Sequence, residues 1–125
     1  MKVIGLISEY CNVTKFSLPY NNYKKRVVSE SKQLILEYLK NEGIPFATTM
    51  HIIKSLEIND NKILGGIIYY TDGNWIWPNY LCYYLENFDI EIPVCFIEYL
   101  KENDKKNVQI DTERAIVFLK DNKIL

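Results

Sequence analysis

Histidine is almost missing from this 125-residue sequence. His51 stands alone, with no cysteine, histidine or carboxylate three or four residues to either side, so the usual spacing of a zinc site is absent. Cysteine is scarce as well. Cys11, Cys82 and Cys95 are an odd number at spacings that fit neither a metal site nor a disulfide framework, and they are expected to be reduced, small buried hydrophobes. Few glycines and prolines beside a charged fraction of 25% argue against disorder. No apolar run approaches the roughly 18 residues of a membrane span. Gly65-Gly66 is not a phosphate loop, because the lysine and hydroxyl residue that complete one do not follow. The first nine residues, Met1 to Glu9, lack the length and cleavage site of a signal peptide and read as the opening strand of a cytoplasmic protein. No nucleophile motif surrounds any cysteine, so an enzyme would have to rest on Cys82, Cys95 or His51 without supporting pattern. No catalytic residue, metal or cofactor is expected.

What the sequence does have is aromatic. Residues 69 to 80 hold both tryptophans and three of the ten tyrosines. The run approaches as a strand, turns at Thr71-Asp72-Gly73-Asn74, returns as the alternating Trp75-Ile76-Trp77, and meets Pro78, which stops a ladder. A hairpin that delivers large rings to one face suits a small core or a protein-binding surface. Length fits one domain, and a hydrophobic content of 48% is enough to bury a core.

Charge is unevenly spread. Residues 57 to 104 carry nine acids, Glu57, Asp60, Asp72, Glu86, Asp89, Glu91, Glu98, Glu102 and Asp104, against Lys62 and Lys101, while both flanks are net basic. Gathered on one surface, such a block repels nucleic acid and steers basic proteins. Scattered, it is ordinary solvation. The basic run Lys24-Lys25-Arg26 is too short for a nucleic-acid patch.

The element pattern is mixed. A strand over about residues 2–8 leads into an irregular stretch from Cys11 to Tyr23, then a helix capped by Ser29 or Ser31 runs to about Asn41 with Leu34, Ile35, Tyr38 and Leu39 inward and Gly43 as its terminator. Residues 46–56 favour strand over helix. Asn59-Asp60-Asn61-Lys62 is a turn, and Ile63 to Tyr70 a strand whose Gly65-Gly66 marks a bulge or a close backbone approach. Asn79 is placed to cap a helix with Leu81, Tyr84, Leu85 and Phe88 on its core stripe and Tyr80 and Tyr83 on another face. After the short Ile90-Glu91-Ile92 link, Pro93 opens a helix with Phe96, Ile97 and Leu100 inward. Asn103 to Asn107 reads as a polar loop, and Asp111-Thr112-Glu113 as a helix start, although residues 116–119 would also serve as strand. The class is α+β: one domain over residues 1–125, a small antiparallel sheet packed against three or four helices.

The stretch Thr71-Asp72-Gly73-Asn74-Trp75-Ile76-Trp77-Pro78-Asn79-Tyr80-Leu81-Cys82-Tyr83-Tyr84, with Ile92-Pro93 and Phe96 beyond it, resembles small bacterial immunity proteins that accompany polymorphic or contact-dependent growth-inhibition toxins. The resemblance spans roughly residues 65–100 and carries no catalytic residues with it. It implies a cytoplasmic antitoxin that binds a cognate toxin domain, a nuclease by expectation, and occludes its active site or substrate access, with no direct nucleic-acid or membrane contact. On that reading Tyr80, Tyr83, Asp72, Glu86, Asp89 and Glu91 form the partner-binding surface. The aromatic motif can at the same time mark a structural corner, with Trp75, Trp77 and Tyr84 in the core.

Overall fold

The computed structural model describes residues 1–24, 31–102 and 109–125. Lys25, Arg26, Ser29 and the segment Asn103 to Asn107, Asp104 included, lie outside the described residues. The elements run β1 (Lys2–Val3), α1 (Tyr20–Tyr23), α2 (Lys32–Asn41), β2 (Ile44–Thr48), β3 (Ile53–Lys54), β4 (Ile63–Gly65), β5 (Ile68–Thr71), β6 (Trp75–Pro78), α3 (Asn79–Asn87), α4 (Val94–Lys101) and α5 (Thr112–Asp121). This is the expected α+β class. Four helices of eight to ten residues are joined by the single turn α1, which lies inside the stretch read as irregular.

The main sheet has the order β1-β6-β5-β2. Its β2–β5 and β5–β6 pairs are antiparallel, and β1 adds a parallel edge beside β6, so the sheet is mixed. All four residues of β6 are buried. A strand with neighbours on both sides and both faces covered needs a continuous apolar run, which Trp75-Ile76-Trp77 supplies. Trp75 and Trp77 point the same way and meet the rings of Phe96 from α4 and, for Trp77, Tyr38 from α2. The tryptophans are therefore core. Gly43 is explained by the same packing: a Cβ there would sit 2.3 Å from Trp77 Cζ2, so this position after α2 is glycine for closeness of approach and not for a left-handed cap.

Four local readings change. The opening strand, expected over about residues 2–8, is only Lys2–Val3, with Gly5 at φ +78° two residues beyond it. On α2 the inward residues are Ile35, Leu36, Tyr38 and Leu39, whereas Leu34 is exposed. The run from Ile63 to Tyr70 is two strands and not one, because Gly65 adopts φ +81° and a Cβ on Gly66 would lie 2.8 Å from the Thr49 carbonyl oxygen. The close backbone approach breaks the ladder, sending β4 to a separate two-stranded ribbon with β3. Asn79 does not cap α3, since Pro78 holds that position. Its side chain accepts from Ile68 N–H at 3.1 Å and donates to the Gly66 carbonyl at 3.0 Å, bridging the break that the two glycines create.

Residues 112–121 resolve as helix, with the Asp111 carboxylate accepting from Arg114 N–H at 3.1 Å as an N-cap. Ala115 and Leu119 face the core. No helix of the described residues is long and apolar enough to cross a membrane.

Candidate functional site

The ribbon β3–β4 stands off the main sheet and is fastened to the body by tyrosine hydroxyls. Tyr10 donates to the Lys54 carbonyl, Tyr84 lies 2.5 Å from the Tyr10 hydroxyl, and Leu56 N–H donates to Tyr84 at 2.9 Å. With Tyr10's proton on Lys54, Tyr84 donates to Tyr10, and each hydroxyl donates once and accepts once. At the ribbon's turn, Tyr20 donates to Glu57 at 2.7 Å and Lys24 pairs with the same carboxylate at 2.9 Å. Tyr83 donates to Asp60 at 2.5 Å, and its ring lies under the Lys62 ammonium, 5.1 Å from it. The turn itself is closed by Asp60 N–H donating to the Glu57 carbonyl, with Asn59 at φ 69°, a conformation asparagine tolerates.

These bonds shape the titrations. Hydrogen bonding to the Asp60 carboxylate pushes Tyr83 up to about 12 and holds Asp60 low. Burial raises Tyr10 and Tyr20, reinforced by the hydrogen bonds to Tyr84 and Glu57. Burial pulls Glu57 upward too, but the bonds from Tyr20 and Lys24 outweigh it, and its carboxyl sits low on balance. At neutral pH the network is therefore neutral phenols donating to ionised carboxylates.

Fixing the inner side of the ribbon leaves its outer side apolar. Lys54 and Ile63 are paired across β3–β4, so they share a face, while Ile53 is buried and Ile52, just before β3, is exposed. Met50, Ile58, Ile52 and Ile63 are 98%, 86%, 70% and 60% exposed, all within fourteen residues of chain. Single exposed apolar residues are ordinary; several on one projecting element mark a contact surface.

The six residues expected to bind a partner separate into two groups. Asp72 is buried in the β5–β6 turn, where its carboxylate accepts from Asn74 N–H at 2.9 Å, Trp75 N–H at 2.8 Å, Tyr99 at 2.9 Å and Tyr38. Tyr80 is also buried, its hydroxyl accepting from Ile7 N–H at 3.1 Å. Both are corrections: the turn needs a carboxylate to hold its N–H groups, and α3 is covered on a wider arc than a four-residue stripe. The other four lie outside the core. Tyr83 is half-buried at the foot of the ribbon, Glu86 is exposed one turn further along α3, and Asp89 and Glu91 follow on the link.

The acidic block does not form a bare acidic surface there. Glu86 pairs with Lys40 at 2.6 Å and Asp89 with Lys32 at 3.8 Å, as Glu57 pairs with Lys24. Acids from the middle of the chain thus face bases from its first third. The Lys40 bond holds Glu86 below its ordinary range.

No protein-family model, curated protein or solved structure matches this chain. Chemistry at the site is read from its own residues alone.

The cysteines divide differently from expectation. Cys95 is exposed near the start of α4, while Cys11 and Cys82 are half-buried. Burial pushes Cys82 up to about 11 and also raises Cys11, against a weaker opposing bond with Tyr69, so neither is a thiolate at neutral pH. Cys11 and the exposed His51 line the same hollow of about 350 Å³, and the Cys11 thiol also donates to the Ile124 carbonyl, at 3.8 Å. Among the described residues no group of three or more metal-ligating side chains is placed to hold an ion. At pH 8 we expect one thiol, Cys95, to react quickly with a disulfide reagent and the other two to react only slowly or on unfolding. Thiol counting in native and denaturing buffer checks this, and a Cys95→Ser variant should remove the fast phase.

Proposed function

We propose that this protein is a stoichiometric binding protein of the bacterial immunity class, neutralising a cognate toxin domain, with a nuclease toxin the expected target. The observation that carries the reading is the ribbon: Ile58 and Ile63 are strongly exposed on it and Met50 and Ile52 on the chain leading into it, and four tyrosines fasten it to the body. A surface held rigid before contact loses little conformational freedom on binding, and buried apolar anchors dominate interface energies. Tyr83 joins the ribbon to the outer face of α3, so the recognition surface extends from Ile58 and Ile63 across Tyr83 toward Glu86, Asp89 and Glu91. The resemblance of residues 71–84 to immunity proteins supports the same reading. The ion pairs with Lys40 and Lys32 shift the emphasis: the apolar ribbon supplies affinity, and the paired acids set register at its margin.

Cytoplasmic location and the absence of direct nucleic-acid binding belong to this proposal. Its test is co-expression with the product of the adjacent upstream reading frame, scored by cell survival and co-purification. Rescue with a stable complex is expected. A toxic neighbour that this chain neither relieves nor binds rejects the pairing and returns the chain to the class of regulatory binding modules.

A further inference from the structure

A second feature has no part in the ribbon's tyrosine network. A cleft of about 320 Å³ opens where β1, the β5–β6 turn, α4 and the start of α5 meet, lined by Lys2, Asn74, Trp75, Tyr99, Asp111 and Arg114 among others. Its floor is fixed: Asn74 donates to Tyr99 at 3.1 Å, Tyr99 donates to the buried Asp72, and Trp75 is locked in the core. Its rim is cationic. The Lys2 ammonium lies 5.2 Å from the centroid of the Trp75 ring, and neither Lys2 nor Arg114 is in any ion pair found among the described residues. The lysine ion pairs found among the described residues lie elsewhere, Lys24 with Glu57 at the ribbon's turn and Lys32 and Lys40 of α2 with Asp89 and Glu86.

We propose that this cleft binds a monocarboxylate group, from a small free acid or from an acidic side chain of a polypeptide. Arginine offers two parallel N–H donors to a carboxylate and lysine adds a point charge, while the stem of Lys2 and the half-buried Tyr99 suit the carbon skeleton behind the acid. The rim also contains Asp111, outnumbered by Lys2 and Arg114, so the cleft suits an anion. The planar fork of Arg114 fits the two oxygens of a carboxylate. The volume is at the small end of ligand sites, enough for a small acid or one side chain and its peptide groups. The proposal does not depend on the toxin-binding reading.

The test is an NMR titration of the purified, isotopically labelled protein, following the Trp75 indole N–H and the Gly73 amide. The probes are propionate, N-acetylglutamate α-amide, its neutral glutamine counterpart and inorganic phosphate. Saturable shifts at both positions are expected with the two carboxylates and not with the glutamine probe. A peptide-like probe that binds more tightly than propionate assigns the polypeptide source, and the reverse order assigns the free acid. Arg114→Gln, whose side chain supports no packing contact described here, should weaken binding roughly tenfold or more, the worth of a charge-assisted bond. Asp111→Asn, which keeps a good N-cap, should strengthen it severalfold. No saturable shift with either carboxylate, equal binding of the neutral probe, tighter binding of phosphate, or affinity unchanged in Arg114→Gln overturns the proposal.

Discussion

Replacing Asp72 with alanine is expected to lower the unfolding free energy by about 3 kcal/mol or more, since each buried donor left unsatisfied costs roughly 1–3 kcal/mol. Four donors lose their acceptor at once: the N–H groups of Asn74 and Trp75 and the hydroxyls of Tyr38 and Tyr99. The turn they close positions Trp75, and with it the aromatic contacts to Phe96 and Tyr99. Asp72→Asn should be milder, because the amide oxygen still accepts from the two backbone groups and the amide nitrogen can donate to the tyrosines. Urea unfolding of the three proteins gives the order wild type, Asn, Ala. A wild-type midpoint for Asp72→Ala would mean that the turn is held by something other than this carboxylate. Partner affinity, measured where each variant is folded, should be unchanged. Asp72 is a buried structural residue, outside the proposed recognition surface.

The opposite pattern is expected on the ribbon. Ile58→Asp combined with Ile63→Asp should weaken the toxin complex by about 3 kcal/mol or more, over a hundredfold in affinity, as loss of two apolar anchors does. Stability should stay within about 0.5 kcal/mol of wild type, because both side chains are already in solvent. Calorimetric titration and urea unfolding measure the two quantities on the same protein. Unchanged affinity would move the recognition surface elsewhere. A large stability loss would show that the ribbon packs more closely than its exposure indicates. Reversing Glu86 to lysine should act mainly on the association rate and on its salt dependence, because the charge is exposed and paired with Lys40 at the margin.

Much of this was legible in residue order, and the exceptions have physical causes. The hairpin at Asp72-Gly73, the following helix and the Pro93 start rest on local rules, in that turn chemistry and fixed proline φ act within a few residues. The break at Gly65-Gly66 depends on the Thr49 backbone, far from Gly66 in sequence, so periodicity could only suggest a bulge or a close approach there. Tyr80 and Tyr83 look alike in sequence and differ in role: packing buries the first, while the second meets Asp60 across a turn. The acidic block was visible as composition, but its neutralisation by Lys24, Lys32 and Lys40 needed tertiary pairing. The ribbon's apolar face was the feature most hidden. Met50 and Ile52 fall in a stretch read as strand and Ile63 opens another, Ile58 lies in no expected element, and only the tertiary structure shows all four exposed while Ile53 is buried.

The central claim is inhibition by one-to-one binding, and a titration of toxin activity tests it most directly. Purified toxin domain at fixed concentration, well above the dissociation constant, is mixed with increasing amounts of this protein, and residual activity is read after equilibration. The account predicts a straight decline that reaches its floor at equal molar amounts, unchanged by longer incubation. A decline that continues with time at substoichiometric amounts would contradict it, showing that the protein acts on the toxin by turnover and not by occupying it.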